Sequence, residues 1–255
     1  MNDSAEGRDS KAPHWLQGRG LGPKINWSFG GDGDVTCVAY ARETGDLFVA
    51  DNTRSLYRLD RQGRIAGLTR LHQPILAMDW ADDGSHGAVL TSEDVVIRFD
   101  RNLKSVHRID LPEPCLAIAI SPFGNHLALA LADGDNLVYN ERKRRITKYT
   151  TIRPLSFLDF CASEATIIGA AEHNLLCCHT LGGAELWQQK NWSTVGEMAT
   201  TGDGDLIYLA SFGHGIQTFD GDGATVGAYV LEGTVSRVGV SFEPQRLIAG
   251  SIEQN

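Results

Sequence analysis

The segment Leu116–Ile146 reads LAIAISPFGNHLALALADGDNLVYNERKRRI and contains short apolar runs separated by polar turns. Within the runs, large apolar residues alternate with small or polar ones, which is the period-two pattern of a β-strand. The turns are rich in Gly, Asp and Asn, residues that supply the backbone angles and hydrogen bonds of tight hairpins. The segment therefore predicts consecutive antiparallel strands.

The same pattern recurs along the chain at a constant offset of 40 residues. First strands are predicted over VTCVAY (Val35–Tyr40), ILAMDW (Ile75–Trp80), CLAIAI (Cys115–Ile120), LSFLDF (Leu155–Phe160), VGEMAT (Val195–Thr200) and VSRVGV (Val235–Val240). Third strands end at the same interval on a polar residue: Asp60, Asp100, Asn140, Thr180 and Asp220. Four short strands per repeat are typical of a β-propeller blade. We therefore predict an all-β fold, a propeller of four-stranded antiparallel blades.

The repeat also predicts how the ring closes. The segment KINWSFG (Lys24–Gly30) lies in phase with the fourth strands, because Trp27 precedes Trp187 of ELWQQ by four repeats. We expect it to latch the ring, which would contain five full blades and an incomplete sixth with two strands. Residues 1–23 are expected to form a flexible tail, and residues 24–255 the propeller domain. Truncation of the chain at its C-terminal end is the favoured explanation for the incomplete blade, and completion by another segment is the alternative.

Two stretches carry a resemblance to known propellers. Leu116–Ile146 resembles a WD40-type blade, with SPFG in place of that family's Ser-Pro-Asp-Gly turn. LLCCHTLGGAELWQQ (Leu175–Gln189) is similar to a repeat of the pyrroloquinoline-quinone-type propellers. The Trp-Asp and Gly-His pairs of WD40 blades are absent, and the aspartates that end the third strands follow Leu or Phe instead. The resemblance therefore implies the WD40-like and quinoprotein-like propeller superfamily and nothing narrower.

Composition excludes several functional classes. The formal net charge is −9 and the pI is about 5.3, so nucleic acid is not expected as a partner, because phosphate binding needs a basic surface. No apolar run approaches the length of a membrane span and the first residues lack a secretory signal, so we expect a cytoplasmic protein without a membrane partner. The five cysteines include no CxxC pair. Neither a disulfide framework nor a metal site is predicted, and no cofactor is expected.

Few residues are candidates for chemistry. The sequence contains no GxSxG elbow, HExxH helix or P-loop. Asp79 and Asp159 interrupt apolar first strands and are the candidate residues of the central channel. Two desolvated carboxylates there would suit a quinoprotein-like or small-ligand-binding enzyme. Hydrogen bonding to backbone amides is the structural alternative, and we favour it.

The loops between second and third strands and the connections between blades are predicted to share one rim of the ring. Together they carry the candidate partner-binding residues: Asp51, Arg54, His72, Glu93, Asp94, Glu113, Asp133, Asp135, Arg153, Glu172, His173, Trp192 and His214. Acidic residues predominate, which favours a basic segment of another protein or domain as the partner. Solvation of an acidic surface explains the same residues equally well. The predicted function is a non-catalytic scaffold for protein–protein interaction, with the small-ligand propeller enzyme as the alternative.

Overall fold

The computed structural model describes residues 24–161, 166–190, 193–231, 233–241 and 246–252, and these form an all-β structure. The first blade contains β1 (Val35–Ala41), β2 (Asp46–Asp51), β3 (Ser55–Leu59) and β4 (Ile65–Arg70); the second contains β5 (Ile75–Trp80), β6 (His86–Thr91), β7 (Val95–Asp100) and β8 (Ser105–Asp110). The third contains β9 (Cys115–Ile120), β10 (His126–Leu131), β11 (Asp135–Asn140) and β12 (Arg145–Thr150).

The remaining strands continue the series. The fourth blade contains β13 (Phe157–Phe160), β14 (Thr166–Ala170), β15 (Leu176–Thr180) and β16 (Glu185–Gln189). The fifth contains β17 (Val195–Thr200), β18 (Leu206–Ser211), β19 (Gly215–Asp220) and β20 (Thr225–Tyr229), and a sixth sheet contains β21 (Thr234–Val240) and β22 (Leu247–Ile252). Each of the five blades is an antiparallel sheet in sequence order, and β21 pairs only with β22 in the described chain. The predicted propeller, with five full blades and a partial sixth, is confirmed.

The polar residue that ends each third strand closes the turn that follows it. Oδ1 of Asp60 accepts hydrogen bonds from the backbone N–H groups of Gln62 and Arg64, at 2.9 and 3.0 Å. Asp100, Asn140 and Asp220 make the same pair of contacts in their own turns. Asp and Asn favour such turns because a short side chain can hydrogen-bond the backbone two residues ahead. This requirement explains why a polar residue recurs every 40 positions.

The apolar core consists of layers between neighbouring blades. Phe48 of β2 is fully buried and stacks on Trp80 of β5, with ring centroids 3.6 Å apart. Trp80 lies over Gly87, where an added Cβ would collide with the indole ring. A single blade cannot bury both of its faces, so each face packs against the next sheet. The same kind of layer separates every consecutive pair of sheets from β1 to β22.

The six sheets of the described residues do not close into a complete ring. The innermost strands β1, β5, β9, β13, β17 and β21 pack against one another in that order, and no comparable packing joins β21 to β1. Within the described chain there is also no helix long and apolar enough to cross a bilayer.

Two predicted elements differ from the structure. The first strand of the fourth blade begins at Phe157 rather than Leu155, although Leu155 remains buried. The latch segment 24–30 is not a hydrogen-bonded strand, because no described strand lies beside it to complete a ladder. Its side chains nevertheless pack on the first blade, where Trp27 and Phe29 cover Val49 and Tyr57. The predicted tail, residues 1–23, lies outside the described residues.

Candidate functional site

The loops predicted to share a rim are connected by backbone hydrogen bonds. Leu71, after the first blade, donates its N–H to the carbonyl of Arg54 at 2.9 Å, and Leu111 donates to Asp94 at 3.0 Å in the next repeat. Thr151 donates to Gly134 in the third repeat, also at 3.0 Å. In the first three blades, the loop between the second and third strands is thereby fixed against the connection that leaves its own blade. We call this surface the loop face.

Most of the candidate partner-binding residues are exposed on the loop face. The exposed ones are Arg54, His72, Glu93, Glu113, Asp133, Arg153, Glu172, His173 and His214. Asp94 and Asp135 are half-buried, and Trp192 lies outside the described residues. The exposed set comprises four carboxylates, two arginines and three histidines, so with neutral histidines its net charge is modestly negative.

Asp51 is the exception, because its side chain points into the loop rather than out of it. It is 1% exposed and accepts hydrogen bonds from Thr53 N, Ser55 N, Thr53 Oγ1 and the Tyr57 hydroxyl, at 2.6 to 3.1 Å. Burial alone would raise the pKa of Asp51, but these donors together hold it below its usual range. Asp51 organises the first blade's loop and does not fit the partner-contact role that its position predicts.

Two further carboxylates on the loop face are held by neighbours. Asp135 forms an ion pair with Lys148 and accepts a hydrogen bond from Thr150 Oγ1 at 2.7 Å. Hydrogen bonds from these two side chains lower the pKa of Asp135. Glu93 accepts a hydrogen bond from Gln73 Nε2 at 2.6 Å while its side chain remains exposed. These contacts fix the positions of the Glu93 and Asp135 carboxylates on the loop face.

Three exposed apolar side chains at or beside the bulges of first strands were not predicted. A β-bulge near the start of β5 and of β9 leaves Leu76 and Leu116 outside the regular pairing, and both are exposed. Phe212, in the loop after β18, is also exposed and lies over the bulge residue of β17, Gly196. An added Cβ at Gly196 would come within 2.6 Å of the Phe212 ring. We call Leu76, Leu116 and Phe212 the apolar mouth.

One regularity in the sequence could have identified this feature. Thr36, Ser156, Gly196 and Ser236 occupy the positions equivalent to Leu76 and Leu116 in the other repeats, and all four are small or polar. A large apolar residue at an exposed position where the other repeats have small or polar residues indicates a surface that contacts another molecule. Strict alternation predicts a regular strand there and conceals the bulge.

The two carboxylates predicted to line the central channel, Asp79 and Asp159, join neighbouring blades. Oδ2 of Asp79 accepts a hydrogen bond from the backbone N–H of Ile120, and Asp159 accepts one from the hydroxyl of Thr200. A third acidic residue, Glu197, was not predicted and accepts the N–H of Val238 at 3.0 Å. Each acceptor and its donor lie 41 residues apart, so each contact connects a first strand to the first strand of the following blade.

Burial dominates the electrostatics of these groups. It raises the pKa of Asp79 to about 7, and the nearby charge of Asp159 adds to the effect while the N–H of Ile120 opposes it. Burial likewise raises the pKa of Asp159 and of Glu197. A raised pKa alone does not indicate catalysis, because structural carboxylates shift in the same way. The hydrogen bonds support the structural interpretation of Asp79 and Asp159.

Two open clefts lie between outer strands of neighbouring blades. One, of about 570 Å³, separates the fourth and fifth blades and is lined in part by Asn174, Gln188, Gln217 and Phe219. Another, of about 300 Å³, lies between the first and second blades beside His72 and Phe99. Among the described residues, no group of three or more His, Cys, Asp and Glu side chains is arranged to hold a metal ion.

Comparison with known proteins identifies the fold. No protein-family model matches the chain, and no curated protein matches it by sequence. One of many similar solved structures is the β-propeller domain of Cps50 (Swd1) from Myceliophteria thermophila, with a TM-score of 0.72 and 15% identity. The match covers 86% of this chain and 80% of that one. The predicted β-propeller fold is thereby confirmed, and at this identity the likeness shows the fold alone.

Proposed function

We propose that the protein is a non-catalytic scaffold that binds another protein through its loop face. The observation that carries the proposal is the apolar mouth, which is exposed together with loop residues that include four carboxylates and two arginines. Apolar residues surrounded by polar ones are typical of protein-interaction surfaces, where the centre supplies affinity and the rim supplies orientation. The partner would insert an apolar side chain at Leu76 and Leu116 and place Lys or Arg against the surrounding carboxylates.

The exposed carboxylates of the loop face favour one chemical class of partner. Exposed Glu93, Glu113, Asp133 and Glu172 favour a basic segment and disfavour nucleic acid and anionic membranes. We place the protein in the cytoplasm as part of the same proposal. No disulfide joins any two of the five cysteines, as is expected in a reducing compartment.

The experiment is affinity capture from the source cell with a matched pair of variants. Leu76→Asp with Leu116→Asp places charge in the apolar mouth, whereas Leu186→Asp changes an equally exposed leucine on an outermost strand. We expect one partner to be retained by the wild type and by Leu186→Asp and lost with the double variant. The retained complex should also dissociate as salt is raised, because screening weakens its charged rim. Equal capture by all three proteins would refute the proposal.

A further inference from the structure

The turn between the third and fourth strands of the third blade concentrates positive charge in an acidic chain. Residues 140–145 read NERKRR, with four basic side chains and one acidic one, whereas the whole chain has a net charge of −9. The equivalent residues of the fourth and fifth blades read TLGGAE and DGDGAT and contain no basic residue. The same turn therefore forms without basic side chains. We call Glu141–Arg145 the basic tip.

The charged groups of the basic tip face solvent, and all five of its residues are exposed. Nε of Arg142 lies 3.5 Å from Oε1 of Glu141, but both side chains stay more than half exposed, so solvent screens this ion pair. Within the part of the chain that the structure describes, the side chains of Lys143, Arg144 and Arg145 form no ion pair or hydrogen bond. Three positive charges are therefore available to a ligand.

Hydrogen bonds hold the basic tip in one conformation. Oδ1 of Asn140 accepts the backbone N–H groups of Arg142 and Arg144, at 3.0 and 2.9 Å. Nε2 of His107, in the outermost strand of the second blade, donates to the carbonyl of Glu141 at 3.0 Å. A surface that is fixed in advance loses less conformational entropy when it binds. The basic tip is therefore preorganised.

Lys143 adopts a left-handed backbone conformation that favours glycine. Its φ is +62°, and glycine occupies the equivalent position of the first, fourth and fifth blades. Among the described residues, the other non-glycine residues with positive φ have a local reason for their identity. Leu103 is buried, Asn174 is of a type that tolerates this conformation, and Arg54 and Asp94 make side-chain hydrogen bonds with backbone groups. Lys143 has no such contact, and a residue kept in a strained conformation without a structural reason indicates a function.

We propose that the basic tip binds an acidic segment of another protein, whose carboxylates pair with Lys143, Arg144 and Arg145. Guanidinium groups hold carboxylates through two parallel hydrogen bonds, and the lysine adds a further positive charge. The basic tip follows a third strand, whereas the loop face precedes it, so the two surfaces lie at opposite ends of the strands. A scaffold with both surfaces would hold partners of opposite charge.

The charge distribution favours a short acidic segment over other anions. A nucleic acid or an anionic membrane extends well beyond one hairpin turn, and it would meet the carboxylates of a protein whose net charge is −9. A short peptide can confine its carboxylates to the basic tip. Residues 1–23 of the chain carry three acidic and three basic side chains, so this segment does not supply the complementary charge.

The test measures the binding of a fluorescein-labelled peptide of eight alternating Asp and Glu residues to the full chain by fluorescence anisotropy. Saturable binding that weakens as salt is raised is expected. Lys143→Gly with Arg144→Gln removes two charges from the basic tip and should weaken binding by about tenfold. Arg237→Gln with Arg246→Gln is the matched control, because it removes two exposed charges from the sixth sheet. The control should leave affinity unchanged within about twofold.

Two further measurements separate specific binding from a role in the fold and from general attraction of anions. Lys143→Gly alone should not lower the midpoint of thermal unfolding, because glycine relieves the strain at a φ of +62°. An oligothymidine of eight nucleotides should bind more weakly than the acidic peptide.

Four results would each overturn the proposal: no saturable binding of the peptide, equal losses in the two double variants, tighter binding of the oligothymidine, or a lowered unfolding midpoint of Lys143→Gly. None of the variants alters the loop face or the apolar mouth. Failure here therefore leaves the proposed function of the loop face unaffected.

Discussion

Asp79 of the second blade accepts a hydrogen bond from the backbone N–H of Ile120 in the third blade, at 2.7 Å. Its other oxygen accepts the N–H of Trp80 at 2.8 Å, so the carboxylate joins two adjacent innermost strands. The contact comes with a desolvation cost for the ionised form, because the side chain is removed from bulk water. Stability should consequently depend on the protonation of this group.

Asp79→Asn should change how stability varies with pH. Burial raises the pKa of Asp79 to about 7, so between about pH 4 and 7 the folded protein holds a proton that the unfolded chain has released. Rising pH therefore lowers the free energy of unfolding through this group. Relative to wild type, Asp79→Asn should gain as much as about 4 kcal/mol on going from pH 4 to 8. Denaturant titrations at several pH values measure this change in the free energy of unfolding. Asp110→Asn, at an exposed position, is the control. If the free energy of unfolding of Asp79→Asn and of wild type varied with pH in parallel, the prediction would be wrong.

Asp51→Asn should show the opposite dependence. The donors around Asp51 hold its pKa below the usual range, so its contribution to stability is present above about pH 4 and is lost as the pH falls further. At pH 7 the variant should lose about 1–3 kcal/mol, because a charged acceptor of several hydrogen bonds becomes neutral. Tyr57→Phe removes one donor and should cost less. If Asp51→Asn remained equally destabilised down to pH 2, the carboxylate's charge would not be the cause.

Gly223→Ala should destabilise the contact between the fourth and fifth blades. Gly223 has φ of +82°, which Ala adopts only with strain, and its added Cβ would lie 2.6 Å from the ring of Trp187. A loss of about 1–3 kcal/mol is expected in thermal or denaturant unfolding. Gly227→Ala is the control, since nothing lies within 4 Å of its Cβ position. If both variants were equally stable, the Trp187 ring would be able to move away from the added Cβ without a loss in the free energy of unfolding.

Phe48→Ala should be among the most damaging truncations in the protein. The Phe48 ring is fully buried between the first two blades and stacked on Trp80. Removal leaves a cavity and should cost about 3–5 kcal/mol in the free energy of unfolding. Phe123→Ala, on an exposed turn, should change it by less than about 0.5 kcal/mol. A small effect at Phe48 would mean that the inter-blade layer collapses to fill the space.

The sequence predicts the repeating part of this fold well because local chemistry enforces it. The bounds of β5, β9 and β17 match the prediction, since alternation and Gly-rich turns act within a few residues. The polar ends of the third strands are likewise local, because each side chain caps its own turn. These features require no knowledge of which blades become neighbours.

The site depends on contacts that the pattern does not contain. Nothing in the first blade's sequence indicates that Asp51 points inward, because that outcome needs the Tyr57 hydroxyl and the loop amides together. Glu197 looks like an ordinary surface residue until Val238 is placed beside it. The exposure of Leu76 depends on a bulge, which is a departure from the alternation used to find the strand.

Among the described residues no packing comparable to that between the other innermost strands joins β21 to β1, and this affects how the described sheets unfold. A closed ring gives every blade two neighbours, whereas the six described sheets form a linear array of nearest-neighbour couplings with two ends. Fraying in such an array begins where a unit has one neighbour and progresses inward. The sixth sheet is the weaker end, because Trp27 and Phe29 cover the first blade. Amide-exchange protection should therefore peak near the third blade and decline most steeply towards β22.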